Sequence, residues 1–338
     1  MKFKNILEKL CEKKDLSEKE AEFAFKSIMT GQINDIQIAG FLTSLSTKGE
    51  TTTELLSAIK VLRTKAKLIN TKLSIFDTCG TGGDGKNTLN ISTAVAILAS
   101  ACGVKIAKHG NKSVSSKSGS SDVLSELGVN ILASKKVVQN CLNRNGICFL
   151  MAPLYHSAMK NVANARANLQ IKTVFNILGP LINPANAKKQ LIGVYSKDWM
   201  YRIAECIKKL KMKKVWVVNG ADGLDEITTT GITNVIEIIG NKVRNFEINP
   251  KELGIKLSSL KHLKGGTPKH NAKMITRLFK GELKNQPYED IVLLNTAAVL
   301  NIDGHCKTLS EGLNLSRKFI ENGNALERLN EFAKSSNQ

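Results

Sequence analysis

Three stretches of the 338-residue chain carry side chains and turns suited to phosphate chemistry. In CGTGGDGKNTLNIST, Gly80, Gly82, Gly83 and Gly85 fall close together, so the backbone can turn sharply and bring amide N–H groups against a ligand. The stretch runs into Ile91 to Ala101, an Ala-rich segment stopped by Gly103 that reads as a helix of about three turns. A glycine-rich turn feeding a helix N-terminus is an anion cradle, and Asn90, Ser92 and Thr93 can cap that helix or reach phosphate oxygens. The second stretch, KHGNKSVSSKSGSSD, offers Lys108 as a point charge, then His109, Asn111 and the hydroxyls of Ser113, Ser115 and Ser116, with Gly110 and Gly119 allowing close approach. The third, NGADGLDE, ends in the consecutive carboxylates Asp225 and Glu226, hard oxygen ligands of the kind Mg²⁺ takes together with substrate phosphate and water.

A fourth group, His156 through Arg166 with FNILGPLINP, holds an arginine able to pair with a carboxylate through two hydrogen bonds. Neither glycine-rich turn completes GxxxxGK[ST], since Asn87 follows Gly85 and Lys86, so the P-loop fingerprint is absent. Cys79 sits in the first turn with no histidine in a nucleophile motif, which argues against a catalytic thiol.

The elements that must hold these groups follow from periodicity. Residues 1 to about 70 read as helices: Ile6, Leu7, Leu10 and Cys11 recur at helical spacing, Ser17 and Glu20 form a capping box, and Ala21–Met29, Ile36–Ser46 and Thr53–Ile69 continue the pattern. Strands are expected at Leu73–Thr78, Val104–Ala107, Ile147–Met151, Gln190–Tyr195 and Lys214–Asn219, with helices at Ser121–Leu127, Lys135–Arg144 and Trp199–Leu210 between them. That alternation implies parallel strands with crossover helices, so both glycine-rich turns and the acidic pair follow strand ends, where open α/β sheets keep their ligands. Tyr155–Thr173 looks helical, FNILGPLINP reads as a loop fixed by two prolines, and 227–249 as a β-rich excursion about Gly240-Asn241. Ile291–Leu300 is strongly apolar, and amphipathic helices close the chain over Leu309–Lys334. The fold class is α/β: a small helical domain over residues 1–70, with helices near 155–185 packing on it, and a larger α/β domain over 71–338 with a mostly parallel central sheet.

Composition narrows the function classes. A hydrophobic content of 42% supports a proper core, and no apolar run approaches the roughly 20 residues of a membrane span. Residues 1–20 form a charged helical pattern without the apolar run of a secretory leader, and the seven cysteines are scattered with no CxxC pair; a cytoplasmic protein is expected. The net charge of +20 invites a nucleic-acid reading, but the lysines are dispersed and aromatics are only 5%, which argues against nucleic acid as a partner and for a field that draws in polyanionic substrates.

Taken in order, DTCGTGGD, NIST, KHGN followed by SS and GSSD, TVFNILGPLINP and NGADGLDE resemble the anthranilate phosphoribosyltransferase family over most of the chain. The resemblance implies a transferase of tryptophan biosynthesis that moves the phosphoribosyl group of 5-phospho-α-D-ribose 1-diphosphate onto anthranilate, built as a homodimer joined through its helical domains. Position by position, it places phosphoribosyl diphosphate on Gly80, Gly83, Asp84, Thr88, Asn90, Ile91, Ser92, Thr93, Lys108, His109, Gly110, Asn111, Lys112, Ser113, Val114, Ser115, Ser116 and Ser120. It implies two Mg²⁺ per subunit, one on Ser92 and Glu226 and another on Asp225 and Glu226, and puts anthranilate against Gly80, Asn111 and Arg166 with His156 lining its approach. Lys108, Asp225 and Glu226 are the expected catalytic groups. The chain reads NARANLQIKT where the family often reads PVRRxLGxRT, so Ala167 replaces an arginine, Gln170 a glycine and Lys172 an arginine, while Lys112 stands where arginine is common. A nucleoside phosphorylase of the same fold, a phosphoribosyltransferase with another acceptor, and a nucleic-acid-binding relative are the alternative readings.

Overall fold

The computed structural model describes residues 1–112 and 117–338. Helices α1 (Phe3–Cys11), α2 (Glu18–Met29), α3 (Asp35–Lys48) and α4 (Thr52–Lys65) come first. The capping box read at Ser17 and Glu20 starts α2, and a second, Thr51 with Glu54, starts α4. Then follow β1 (Phe76–Gly80), α5 (Ile91–Ala101), β2 (Ile106–Gly110), α6 (Ser120–Glu126), α7 (Lys135–Asn145), β3 (Ile147–Met151), α8 (Ala152–Tyr155), α9 (Lys160–Leu169) and α10 (Val174–Ile177). The rest is β4 (Lys189–Gly193), α11 (Lys197–Lys209), β5 (Lys214–Gly220), the hairpin β6 (Thr233–Ile239) and β7 (Lys242–Ile248), α12 (Pro268–Phe279), α13 (Pro287–Asp303), α14 (Leu309–Glu321) and α15 (Asn324–Ser336).

The chain divides into two compact units. One comprises Met1–Leu68 and Ala152–Pro184, the other Ile69–Met151 and Ala185–Gln338. In the helical unit α2 packs on α4, α1 on α3, and α9 on α2 and α3. Its core holds Phe25 edge-on to Phe41 at 5.4 Å, with Ile28, Ile38, Leu42, Leu55 and Ile59 fully buried around them. FNILGPLINP, expected as a plain loop, is instead one turn of helix, α10, and a 3₁₀ turn at Gly179–Ile182. Asn176 accepts from the Thr173 N–H to start the first turn, and Pro180, lacking an N–H, fits the first positions of the second.

The α/β unit is built on a seven-stranded sheet in the order β3-β2-β1-β4-β5-β6-β7. From β3 to β5 the pairings are parallel, and β6 and β7 join antiparallel. Even the edge strand β3, ICFLM, is apolar and buried along its whole length, as a sheet covered on both faces requires. The outer strand β7 exposes Lys242, Arg244 and Glu247, charges that discourage further strand pairing. The first two strands lie two to three residues later than their apolar runs suggest, because the ladder continues into Cys79-Gly80 and His109-Gly110. Helix α13 is apolar on nearly every side and correspondingly buried against α5, α14 and β4. The strand order reverses between β1, which leads on to β2 and β3, and β4 on its other side. That reversal opens a crevice beyond the C-terminal ends of β1 and β4.

Candidate active site

Strands β1 and β4 end at Gly80 and Gly193, which are register partners. A Cβ on Gly80 would strike the Asp225 carboxylate, and one on Gly193 would strike the Asp225 backbone. Both strand ends are bare so that Asp225 can lie across the crevice. Beyond Gly80 the chain turns through Gly82, Gly83 and Gly85, all with φ between +67° and +76°, a region closed to most side chains. The Thr81 N–H donates to the Gly193 carbonyl at 2.9 Å and the Gly82 N–H to Asp225 Oδ2 at 2.8 Å, so the first glycine-rich turn is tied to the acidic pair.

The acidic loop is itself heavily braced. Asp222 accepts from Thr228 Oγ1 at 2.9 Å, Thr230 Oγ1 at 2.6 Å and the Leu224 N–H at 3.0 Å. Asn295 on α13 accepts from the Ile227 N–H and donates to the Ile227 carbonyl, at 2.9 and 2.8 Å. Burial pushes the Asp225 carboxyl up to about 7, with the neighbouring charge of Asp84 adding to it and the Gly82 N–H opposing. Glu226 is raised well above the usual carboxylate range, by burial first and then by Asp225, against the pull of Lys108 and the Ser92 N–H. Carboxyls held this way are crowded negative charge that a cation would relieve. Among the described residues no three acidic, His or Cys side chains form a ready-made metal cage. A cation here would draw its remaining ligands from water and substrate, as Mg²⁺ commonly does.

Lys108, expected to offer its charge directly to a ligand, is only 3% exposed and donates to the Thr78 carbonyl at 2.6 Å and to Ser92 Oγ at 3.2 Å. Its charge thus sits under the N-terminus of α5 beside Glu226. Thr93 Oγ1, in the first turn of that helix, is buried with no hydrogen-bond partner among the described residues. A hydroxyl without a partner at a helix N-terminus is one that a bound anion would satisfy. Asn90 makes no side-chain cap; its amide bonds to Ser118 and Asn271 instead. Burial pushes the Cys79 thiol up, which removes it as a thiolate nucleophile.

The other expected site residues fall as follows. Thr88 bridges to Lys264, and the His109 N–H donates to Asp77 at 3.2 Å. Gly110 has no room for a Cβ because Ser120 Oγ and the Phe149 ring crowd it, and Ser120 Oγ donates to the Asn111 carbonyl at 3.3 Å. Asn111 Oδ1 accepts from the Lys112 N–H, and both residues are exposed. Ser113, Val114, Ser115 and Ser116 lie outside the described residues. Gly80, Gly83, Asp84, Ile91 and Ser92 stand with the acidic pair in the α/β unit, while His156 and Arg166 belong to the helical unit. Arg166 lies over the Phe175 ring at 5.7 Å, and buried His156 is pushed down to about 4. Gln170, where the family pattern has glycine, closes α9 with φ +52°. Sequence reasoning missed Gly193, Asn271 and Asn295; a glycine ending an apolar strand was the signal for the first, and single asparagines within helices gave none for the others.

Residues 4–66 match the glycosyl transferase family helical bundle domain, and residues 72–326 the glycosyl transferase family a/b domain. That pairing, with the site at the β1/β4 crevice, makes the chain a member of a two-domain glycosyl transferase class. An anthranilate phosphoribosyltransferase of Acetivibrio thermocellus is 46% identical over 99% of this chain and 96% of its own length. The crystal structure of the Thermus thermophilus anthranilate phosphoribosyltransferase superposes with a TM-score of 0.91 at 37% identity, covering 98% of this chain and 99% of that one. The Saccharomyces cerevisiae enzyme, in complex with PRPP and Mg, gives 0.92 at 31%, covering 99% and 98%. The chain belongs to the anthranilate phosphoribosyltransferase family.

Proposed function

We propose that this protein transfers the phosphoribosyl group of 5-phospho-α-D-ribose 1-diphosphate to anthranilate, giving N-(5-phosphoribosyl)anthranilate and diphosphate in tryptophan biosynthesis. The observation that carries the reading is the convergence, at the β1/β4 crevice, of the glycine-rich turn, the N-terminus of α5 that Asn90 leaves without a side-chain cap, and the crowded pair Asp225 and Glu226. In the reaction the ribose C1–O bond to diphosphate breaks as the C1–N bond to the amine forms, and the amine then sheds its proton. An aromatic amine is already nucleophilic, so the chief demand is stabilising charge on the departing diphosphate. Backbone amides of the first turn and of α5, with the Lys108 charge below them, are placed to favour that developing charge over the ground state.

Two Mg²⁺ per subunit complete the proposal, held by Ser92, Asp225 and Glu226, and when bound they would neutralise diphosphate charge. Anthranilate is assigned to Gly80, Asn111, His156 and Arg166. The guanidinium of Arg166, steadied over Phe175, suits its carboxylate, and a neutral His156 adds no competing charge. A cytoplasmic homodimer is the proposed working form; among the described residues no helix is long and apolar enough to cross a membrane.

Mixing purified protein with anthranilate, phosphoribosyl diphosphate and Mg²⁺ should abolish anthranilate fluorescence, and omission of any component should prevent the loss. No loss from folded protein would refute the assignment. Asp225→Asn with Glu226→Gln should cut turnover by about two orders of magnitude at low Mg²⁺, and unchanged turnover would sink the metal assignment.

A further inference from the structure

Asn90 sits where the first glycine-rich turn meets α5, and its side chain ends a relay of hydrogen bonds that starts well outside the site. The Gly266 N–H donates to Asn271 Oδ1 at 2.8 Å, and Asn271 Nδ2 donates to Asn90 Oδ1 at 2.8 Å. Ser118 Oγ donates to the same Asn90 oxygen at 3.2 Å, and Asn90 Nδ2 donates to the Ser118 carbonyl at 3.1 Å. Asn271 is 1% exposed, on the first turn of α12. The segment before that helix is strapped to the same turn: the Leu89 N–H donates to the Leu263 carbonyl and the Gly265 N–H to the Asn87 carbonyl, both at 2.8 Å.

A primary amide can present either end, and only its partners decide which. Here both ends of the relay are main-chain groups whose polarity cannot reverse. A backbone N–H only donates, so Gly266 holds the Asn271 oxygen and turns its NH₂ toward Asn90. That NH₂ requires an acceptor, so Asn90 must offer its oxygen. At the far end the Ser118 carbonyl only accepts and takes one N–H of Asn90. The Asn90 oxygen is then filled by two donors, and its second N–H is the remaining polar valence of the side chain.

We propose that Asn271 is a positioning residue for the diphosphate substrate. By fixing the amide polarity of Asn90 it makes that side chain a donor toward an anion, and through the Asn90–Ser118 clasp it holds the second loop to the first. The inference rests on the reading that Asn90 touches phosphoribosyl diphosphate.

Asn271→Asp has the same shape and still accepts from Gly266, but it cannot donate to Asn90 and invites that amide to reverse. Its KM for phosphoribosyl diphosphate should rise about tenfold or more, while kcat and the KM for anthranilate stay within about threefold. Asn271→Ala should show the same split, which keeps the test open if the aspartate variant does not fold. In an Asn90→Ala background either change at 271 should have no further effect on that KM. A KM within about twofold of wild type in the folded 271 variants, or an effect that persists in the Asn90→Ala background, overturns the inference. If Asn90→Ala alone leaves calorimetric binding of phosphoribosyl diphosphate unchanged, the contact of Asn90 with that substrate fails, and the inference with it. If Asn90→Ala weakens binding and the 271 variants do not, the substrate reading stands and only the relay is wrong.

Discussion

Replacing Asn295 by alanine should destabilise the α/β unit and loosen the acidic pair together. Asn295 is wholly buried on α13, where it accepts from the Ile227 N–H at 2.9 Å and donates to the Ile227 and Ile291 carbonyls at 2.8 Å. Ile227 directly follows Glu226 and is itself buried, so water does not replace the lost partner. The substitution leaves the N–H and the C=O of Ile227 unsatisfied, at about 1–3 kcal/mol each, and removes some packing. The expected loss is roughly 3–5 kcal/mol. For a unit of this size each kcal/mol moves the melting midpoint by about 2–4 °C, so the midpoint should fall by about 6–20 °C. Urea unfolding monitored by circular dichroism measures the loss directly. The folded fraction should also need more Mg²⁺ for half-maximal turnover, because Glu226 is no longer anchored from its C-terminal side. A variant within about 1 kcal/mol of wild type would refute the claim that this amide holds the loop.

Gly193→Ala drives a methyl group into the backbone of Asp225; a loss of about 1–3 kcal/mol in urea unfolding and a steep fall in turnover are expected, and normal turnover would show that the strand end need not be bare. His156 is pushed down to about 4 by burial, against an ordinary value near 6.5, so the unfolded chain binds its proton first as pH falls. Its share of stability is intact above about pH 6.5 and drops by roughly 3 kcal/mol on going to pH 4, a slope that His156→Asn should remove from pH-resolved unfolding curves. Gln170→Gly should raise stability by roughly 0.5–1 kcal/mol, since φ +52° at the end of α9 suits glycine; a lower melting midpoint would mean the glutamine side chain contributes more than the strain costs.

Much of this architecture is legible in local patterns. The capping box of Ser17 with Glu20, the helix from Ile91 to Ala101 and the hairpin about Gly240-Asn241 follow from neighbouring residues alone. Propensity, caps and turns act within a few residues, so those elements have the same form in the sequence and in the folded chain. Boundaries that depend on a partner did not come through. The ladder carries β1 on to Gly80 because Gly193 pairs with it, and that pairing joins residues more than a hundred positions apart. FNILGPLINP has two prolines and reads as a loop, yet it coils into short helical turns whose buried faces only the rest of the helical unit could supply.

The amino-acid sequence by itself determined the parts: a helical segment followed by alternating strands and helices, two glycine-rich turns at strand ends, and one acidic pair. Those are properties of residue type and short spacing. The tertiary structure alone decided how the parts meet. The strand order that places Asp225 across Gly80 and Gly193, the burial that raises its carboxyl, and the seating of Lys108 beneath Ser92 all join residues far apart in the chain. So do Asn295 and Asn271, each an unremarkable helical residue until its amide meets the backbone of Ile227 or the side chain of Asn90. The physical reason is that desolvation and hydrogen-bond pairing are set by which groups are neighbours in space, and a linear pattern of residue types does not specify those neighbours.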